Sequence, residues 1–277
     1  MPQEAVFYFD VLGFRQMAAG TAEDAVDALS DLAALLQHEN LFPSAKKWTH
    51  RYALGDSVFL THAHPAVAIK QASDLVFNLF QLNLGKPTPF LVRGAVAYGE
   101  VHHVRGVFLT TGEPANLVGH AVVEAVTLEQ ASGLRGPRIL LSESLARGVD
   151  AALRDWLLRP TSTAGVWEIL WLLPASPSDV AGYERAMASI CDMAVSLLAS
   201  GGHPVFGAHY REFAMLAARS VDRLRRFAGE GLAQVGQTWS TFLPASKVRS
   251  VCEATSGLPD DYVSALVALI ESFEGET

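Results

Sequence analysis

The stretch "AVFYFDVLGF", Ala5 to Phe14, runs five apolar residues directly into a carboxylate and then a glycine turn. Ala5 to Phe9 reads as a short, wholly apolar strand, which belongs in a core. Water-exposed loops lie a few residues away on either side, so a strand ending in Asp10 calls for a reason. A second carboxylate, Asp56, follows within "HRYALGDSVFL" (50–60), which reads as two short β segments around a Gly55-Asp56 turn.

The rest of the chain supplies enough material for a large core. Of 277 residues, 50% are hydrophobic and 18% charged, so no disulfide or structural metal is needed for stability. Cys191 and Cys252 are the only cysteines, far apart and outside any CxxC pattern, which makes a reducing, cytoplasmic setting the expectation. The start "MPQEAVFYFD" is acidic and lacks the form of a signal peptide, and no run approaches the roughly 20 apolar residues of a membrane span. A formal charge of −8 with no basic tract argues against nucleic acid as a partner.

Thr21 is a plausible N-cap for an amphipathic helix carrying Ala25, Leu29, Leu32 and Leu36. A second helix follows Pro65, with Ile69, Ala72, Val76 and Phe80 on one face. "FLVRGAVAYGEVHHV" (90–104) reads as a long strand, bulged near Gly94 or Gly99, with "GVFLTT" able to pair back onto it. Residues 113–132 contain a third helix, "PRILLSESLA" a strand and a brief helix capped by Ser142, and "GVWEILWLL" (165–173) another strand. The class expected is α+β, with helices on one face of a mainly antiparallel sheet. After Pro174 the strand signal stops; residues 178–201, about 204–229 and 258–273 have helical period. This predicts a first domain over 1–174 and a C-terminal helical extension over 175–277.

If the first strand lies beside the hairpin, Asp10 and Asp56 reach the same end of the sheet. Two close carboxylates raise each other's pKa unless a cation separates them. Mg²⁺ or Mn²⁺ takes hard oxygen ligands, and two such ions suit an in-line phosphoryl displacement. The turn "VLGF" between strand and helix offers consecutive backbone N–H groups suited to a polyphosphate. The plainer alternative, Asp10 as a strand-end cap and Asp56 as an ordinary turn residue, stays open at this point.

"FYFDVLGF" followed by "RYALGDSVF" resembles the two metal-binding segments of class III nucleotidyl cyclases. "LVRGAVAYGEV" (91–101), "GHAVVEAVTLEQ" (119–130) and "PRILLSESL" are similar to that family's later segments, in the family's order, from about residue 4 to 172. The resemblance implies a ferredoxin-like core. It also implies two divalent ions on Asp10 and Asp56 with the Val11 carbonyl, and the triphosphate on the amides of Leu12, Gly13 and Phe14. The reaction implied is closure of a ribose 3′-oxygen onto the α-phosphate with release of pyrophosphate, in a homodimer with composite active sites.

Several positions depart from the purine-specific members. The lysine that selects adenine there corresponds to Tyr52, and the late Asn and Arg correspond to Val123 and Thr127. Arg93, inside an otherwise apolar strand, is the substitute cation; buried, it requires an anion, which an internal glutamate such as Glu129 could also supply. Arg15 and Arg51 are further cations. Tyr52, the aspartates and the extra C-terminal helices resemble the pyrimidine cyclases of bacterial Pycsar anti-phage systems, implying UTP or CTP as substrate with UTP favoured. A purine cyclase and a catalytically silent cyclase-like binding protein are the alternatives. His102 and His103 are adjacent on a strand, so they face apart and are not expected to share a metal. Ser57, Ser142 and Ser144 lack a GxSxG setting. Glu113 reads as a polar-face residue, "DRLRRF" (222–227) as a solvated or interface stripe, and Trp156, Trp167 and Trp171 as packing residues.

Overall fold

The computed structural model describes residues 2–20, 22–37, 48–83, 91–105, 114–131, 133–177, 183–203, 206–227, 241 and 243–274. Thr21, Glu113 and the "GVFLTT" strand lie outside the described residues. Two compact units are present: Met1–Leu134 with Arg138–Trp171, and Arg135–Pro137 with Leu172–Thr277.

Among the described residues the first unit is built on a seven-stranded sheet. Its elements are β1 (Gln3–Val11), α1 (Phe14–Gly20), α2 (Ala22–Gln37), β2 (His50–Leu54), β3 (Ser57–His62), α3 (Pro65–Asn83) and β4 (Val92–Glu100). After these come β5 (His102–Arg105), β6 (Pro114–Val118), α4 (His120–Glu129), β7 (Ile139–Ser142), α5 (Glu143–Gly148), α6 (Ala151–Leu157), β8 (Leu158–Pro160) and β9 (Val166–Ile169). Strand order is β2-β3-β1-β4-β7-β9-β8, while β5 and β6 form a separate two-stranded ribbon. Every pairing is antiparallel except β4 with β7. The β2-β3-β1-β4 portion, with helices between β1 and β2 and between β3 and β4, has the ferredoxin-like order. The α+β class and the mainly antiparallel sheet match the sequence reading.

The expectation of helices on one face alone does not hold. Ala5, Phe7 and Phe9 point to one side of β1 and are fully buried, and Val6 and Tyr8 point to the other and are buried as well. The second side is covered by α4, whose Ala121 and Ala125 pack on Val6, Tyr8 and Ala97. An unbroken apolar strand has no side suited to water, so a layer on each face is its physical consequence. The long strand expected over 90–104 is also divided: β4 ends at Glu100 and β5 begins at His102.

The second unit is helical. Helices α7 (Glu184–Leu198), α8 (Gly207–Arg226), α9 (Ala245–Ala254) and α10 (Asp260–Glu274) pack around Cys191, Phe213, Leu224, Val248 and Ile270. The sequence reading has no counterpart to α9. In the "DRLRRF" stripe, Arg226 pairs with Asp222 and Arg225 donates to the Ser272 carbonyl on α10. Among the described residues no helix is long and apolar enough to cross a membrane.

Candidate active site

β1 is central, and its register decides what surrounds Asp10. Antiparallel pairing sets Phe9 opposite Val58 of β3 and Asp10 opposite Arg93 of β4. Residues directly opposite share a face, so Tyr8, Asp10, Phe59, Arg93 and Ala95 all look toward the α4 side. The β2–β3 hairpin closes through Gly55 and Asp56, with Gly55 at φ 63°, a left-handed value that suits glycine. That turn sits at the end of β3 where Ser57 follows, and Tyr8 OH lies 3.5 Å from Ser57 Oγ. Asp10 and Asp56 thus reach one end of the sheet. Burial raises the Asp56 pKa first and the charge of Asp10 raises it further, while a backbone hydrogen bond and, after it, Arg15 and Arg93 partly offset both.

Arg93 lies between two carboxylates. Its Nε donates to Asp10 Oδ1 at 3.0 Å and its Nη2 to Oδ2 at 3.2 Å, a bidentate fork. Glu129, at the end of α4, brings Oε1 to 2.5 Å from the same Nε. This oxygen is buried and accepts no hydrogen bond from the described residues, because the N–H it approaches is directed at Asp10. An ion contact without a hydrogen bond is a poor home for a full negative charge. Burial, then Asp10, push Glu129 up to about 7, against the pull of Arg93. The anion that Arg93 requires is thus supplied twice from within the protein, with its side chain still 40% exposed. The cation expected to serve a transition state is, in this structure, bonded to Asp10.

The carboxylates of Asp10 and Asp56, near one bonded guanidinium, offer hard oxygen donors that fit divalent cations. Other predicted residues are placed less simply. Val11 is buried and paired with Val92. Leu12 donates its amide to the Leu91 carbonyl at 2.7 Å, so that N–H is not available to a phosphate, contrary to expectation. Gly13 adopts φ 76° and Phe14 opens α1. Arg51 donates to the Leu36 carbonyl at 2.6 Å. Val123 is 66% exposed on α4, and Thr127 bonds back to the Val123 carbonyl.

Tyr52 stands on β2 on the same face, away from the carboxylates. Its hydroxyl lies 2.7 Å from Nδ1 of His103, which in turn presents Nε2 to Glu4 Oε1 at 3.1 Å. His50 stacks beside His103 with ring centroids 3.9 Å apart. Burial, then His103, lower the His50 pKa, with Glu4 acting the other way. As expected, His102 turns elsewhere, to Glu100. Sequence reading did not bring Glu4, His50 and His103 together. Glu4 and His50 each stand an even number of residues from Asp10 or Tyr52 on their strands, the available signal for a shared face. Tyr52 and Gly55 also border a cavity of about 550 Å³ between α2 and the hairpin, lined by Leu29, Leu32, Leu36 and Val58.

No protein family matches this chain, and no curated protein does. Among solved structures, the guanylyl cyclase Cya2 is 15% identical over 61% of this chain and 91% of its own, with a TM-score of 0.47. The non-canonical dimeric guanylyl cyclase domain of the RhoGC fusion protein from the aquatic fungus Blastocladiella emersonii is 19% identical over 61% and 97%, with a TM-score of 0.46. The adenylyl cyclase CyaB from P. aeruginosa is 19% identical over 60% and 93%, with a TM-score of 0.43.

Proposed function

We propose that this chain is a metal-dependent nucleotidyl cyclase of the class III type, converting UTP, or CTP, to the 3′,5′-cyclic nucleotide and pyrophosphate. The observation that carries the reading is the arrival of Asp10 and Asp56 at one end of the sheet, beside the Gly13 turn, through the β1–β3 register. Asp10, Asp56 and the Val11 carbonyl would hold two divalent ions, Mn²⁺ or Mg²⁺, which neutralise charge on the reacting phosphate. The Gly13 and Phe14 amides receive the triphosphate. Arg93 positions Asp10 through its bidentate fork, and its exposed flank faces incoming phosphate. Tyr52, which borders the cavity and bonds to His103, would contact the base, and its bulk suits a pyrimidine.

In this reading residues 1–174 form the catalytic domain and 175–277 a helical extension. A homodimer would place a second copy of the chain against α4 near Val123 and Thr127. The setting would be the cytoplasm, with the cyclic nucleotide acting as a messenger in anti-phage defence. A second reading, a silent cyclase-like binding protein, draws on the same site: Arg93 already neutralises Asp10, and Val123 and Thr127 carry no charged donor. A purine cyclase with a different base contact is the remaining enzyme reading. Pyrophosphate release with Mn²⁺ separates catalyst from binder. Asp56→Ala is expected to abolish release while the melting temperature stays within a few degrees, and equal release by that variant overturns the two-metal site.

A further inference from the structure

About 20 Å along β1 from Asp10, six residues at the usual strand rise, lies a second group of metal-ligating side chains. We infer that Glu4, His50 and His103 form a site for one transition-metal dication of the zinc type, distinct from the Asp10–Asp56 pair. The three come from β1, β2 and β5, and one ligand atom from each lies within 4.8 Å of the others. Tetrahedral Zn²⁺ bonds of about 2.0–2.2 Å set ligand atoms roughly 3.3 Å apart, so small side-chain rotations close the site. His103 Nε2 and Glu4 Oε1 already stand 3.1 Å apart.

Two further features point to a ligand. Glu4 Oε2 is buried and has no hydrogen-bond partner among the described residues, an arrangement that costs free energy unless a cation or donor meets it. The His103–Glu4 contact alone accounts for Oε1 and leaves Oε2 unsatisfied. Each imidazole, moreover, has its other nitrogen near a hydroxyl: His103 Nδ1 at 2.7 Å from Tyr52 OH, and His50 Nδ1 at 3.4 Å from Thr61 Oγ1. Outer partners of this kind fix tautomer and ring direction in metal-binding histidines. Two imidazoles and one carboxylate with a position left open suit Zn²⁺, whereas the all-oxygen set at Asp10 and Asp56 suits Mg²⁺ or Mn²⁺. A bound ion would staple the β5–β6 ribbon to β1 and to the edge strand β2. It would also hold Tyr52 through His103. The inference does not depend on the cyclase reading.

The test is calorimetric titration of Zn²⁺ into tag-free, chelator-stripped full-length protein. One equivalent is expected to bind, and excess Mg²⁺ should not displace it. His50→Ala and Glu4→Gln should each weaken binding more than tenfold, and Tyr52→Phe by about tenfold, the size of outer-partner losses. His62→Ala serves as the control and should bind as the parent does. Circular dichroism reports whether each variant folds. Independently of any variant, Zn²⁺ should protect His50 and His103 of the parent protein from diethylpyrocarbonate, read by peptide mass spectrometry. Absence of Zn²⁺ binding, binding unchanged in folded His50→Ala or Glu4→Gln, or no protection of these histidines overturns the site.

Discussion

Replacing Glu129 with glutamine should change how stability depends on pH, in a direction set by the packing at the end of α4. The Glu129 side chain is 1% exposed and its carboxyl titrates near 7 instead of 4.5, chiefly through burial and then Asp10. Below about pH 4.5 the proton is present in both folded and unfolded chains. As pH rises, the unfolded chain releases it first, so folding must take up a proton and stability falls until the folded carboxyl also ionises near 7. The displacement from 4.5 to about 7, at 1.36 kcal/mol per unit, amounts to about 3 kcal/mol between pH 4 and pH 8. Glutamine keeps the shape and removes the titration. Glu129→Gln should therefore gain on the parent protein with rising pH, by up to about 3 kcal/mol, less whatever Arg93 loses with its second anion. Urea unfolding at pH 5, 6.5 and 8 in chelator-containing buffer measures the difference. A difference that stays flat, or shrinks as pH rises, refutes the assignment of Glu129 as a carboxyl held neutral by burial.

Arg138→Met should lower stability by about 3–5 kcal/mol in denaturant unfolding, the cost of leaving a buried charge without its partner. Glu168 is 2% exposed and bonded to Arg138 at 3.0 Å, with Arg159 at 3.9 Å; a loss below about 1 kcal/mol would show that its remaining contacts suffice. Burial, then Asp192, push the Cys191 thiol up to about 12, so at pH 8 it should resist a thiol reagent until the chain unfolds. Rapid native labelling at Cys191, located by peptide mapping, would contradict that packing. Gly94→Ala should destabilise the sheet by more than about 1 kcal/mol in thermal unfolding, because the new Cβ would meet the Tyr8 carbonyl oxygen at 2.2 Å. A neutral result there would mean that β1 and β4 can separate at little cost.

Much of the first unit was legible because its strands announce themselves by composition. An apolar run ending at Asp10, a Gly-Asp hairpin and a long strand carrying Arg93 set the β2-β3-β1-β4 order once antiparallel pairing is assumed. The pairing of Arg93 with Glu129 was also within reach, since a buried guanidinium demands an anion. The Asp10 fork was harder to foresee. It depends on the β1–β4 register, and shifting that register by one residue would turn Arg93 to the other face. The Leu12 amide was lost to the reading for a related reason. A turn's N–H groups look free in sequence until a neighbouring strand end, here Leu91, supplies an acceptor. The Glu4, His50 and His103 group needs three strands brought together, two in the main sheet and one in the ribbon, which local periodicity does not encode. Helix α9 escaped because its buried positions, Ala245, Val248 and Cys252, are few and small over only ten residues.

The most direct test of the central claim is incubation of the full-length protein with each of the four ribonucleoside triphosphates and Mn²⁺, with products identified by mass spectrometry. The account predicts a cyclic pyrimidine nucleotide, cyclic UMP foremost, together with pyrophosphate, and loss of both in Asp56→Ala. A cyclic purine alone would preserve the metal site and remove the role given to Tyr52. No cyclic product from any triphosphate would contradict the account and leave Arg93 as the permanent partner of Asp10.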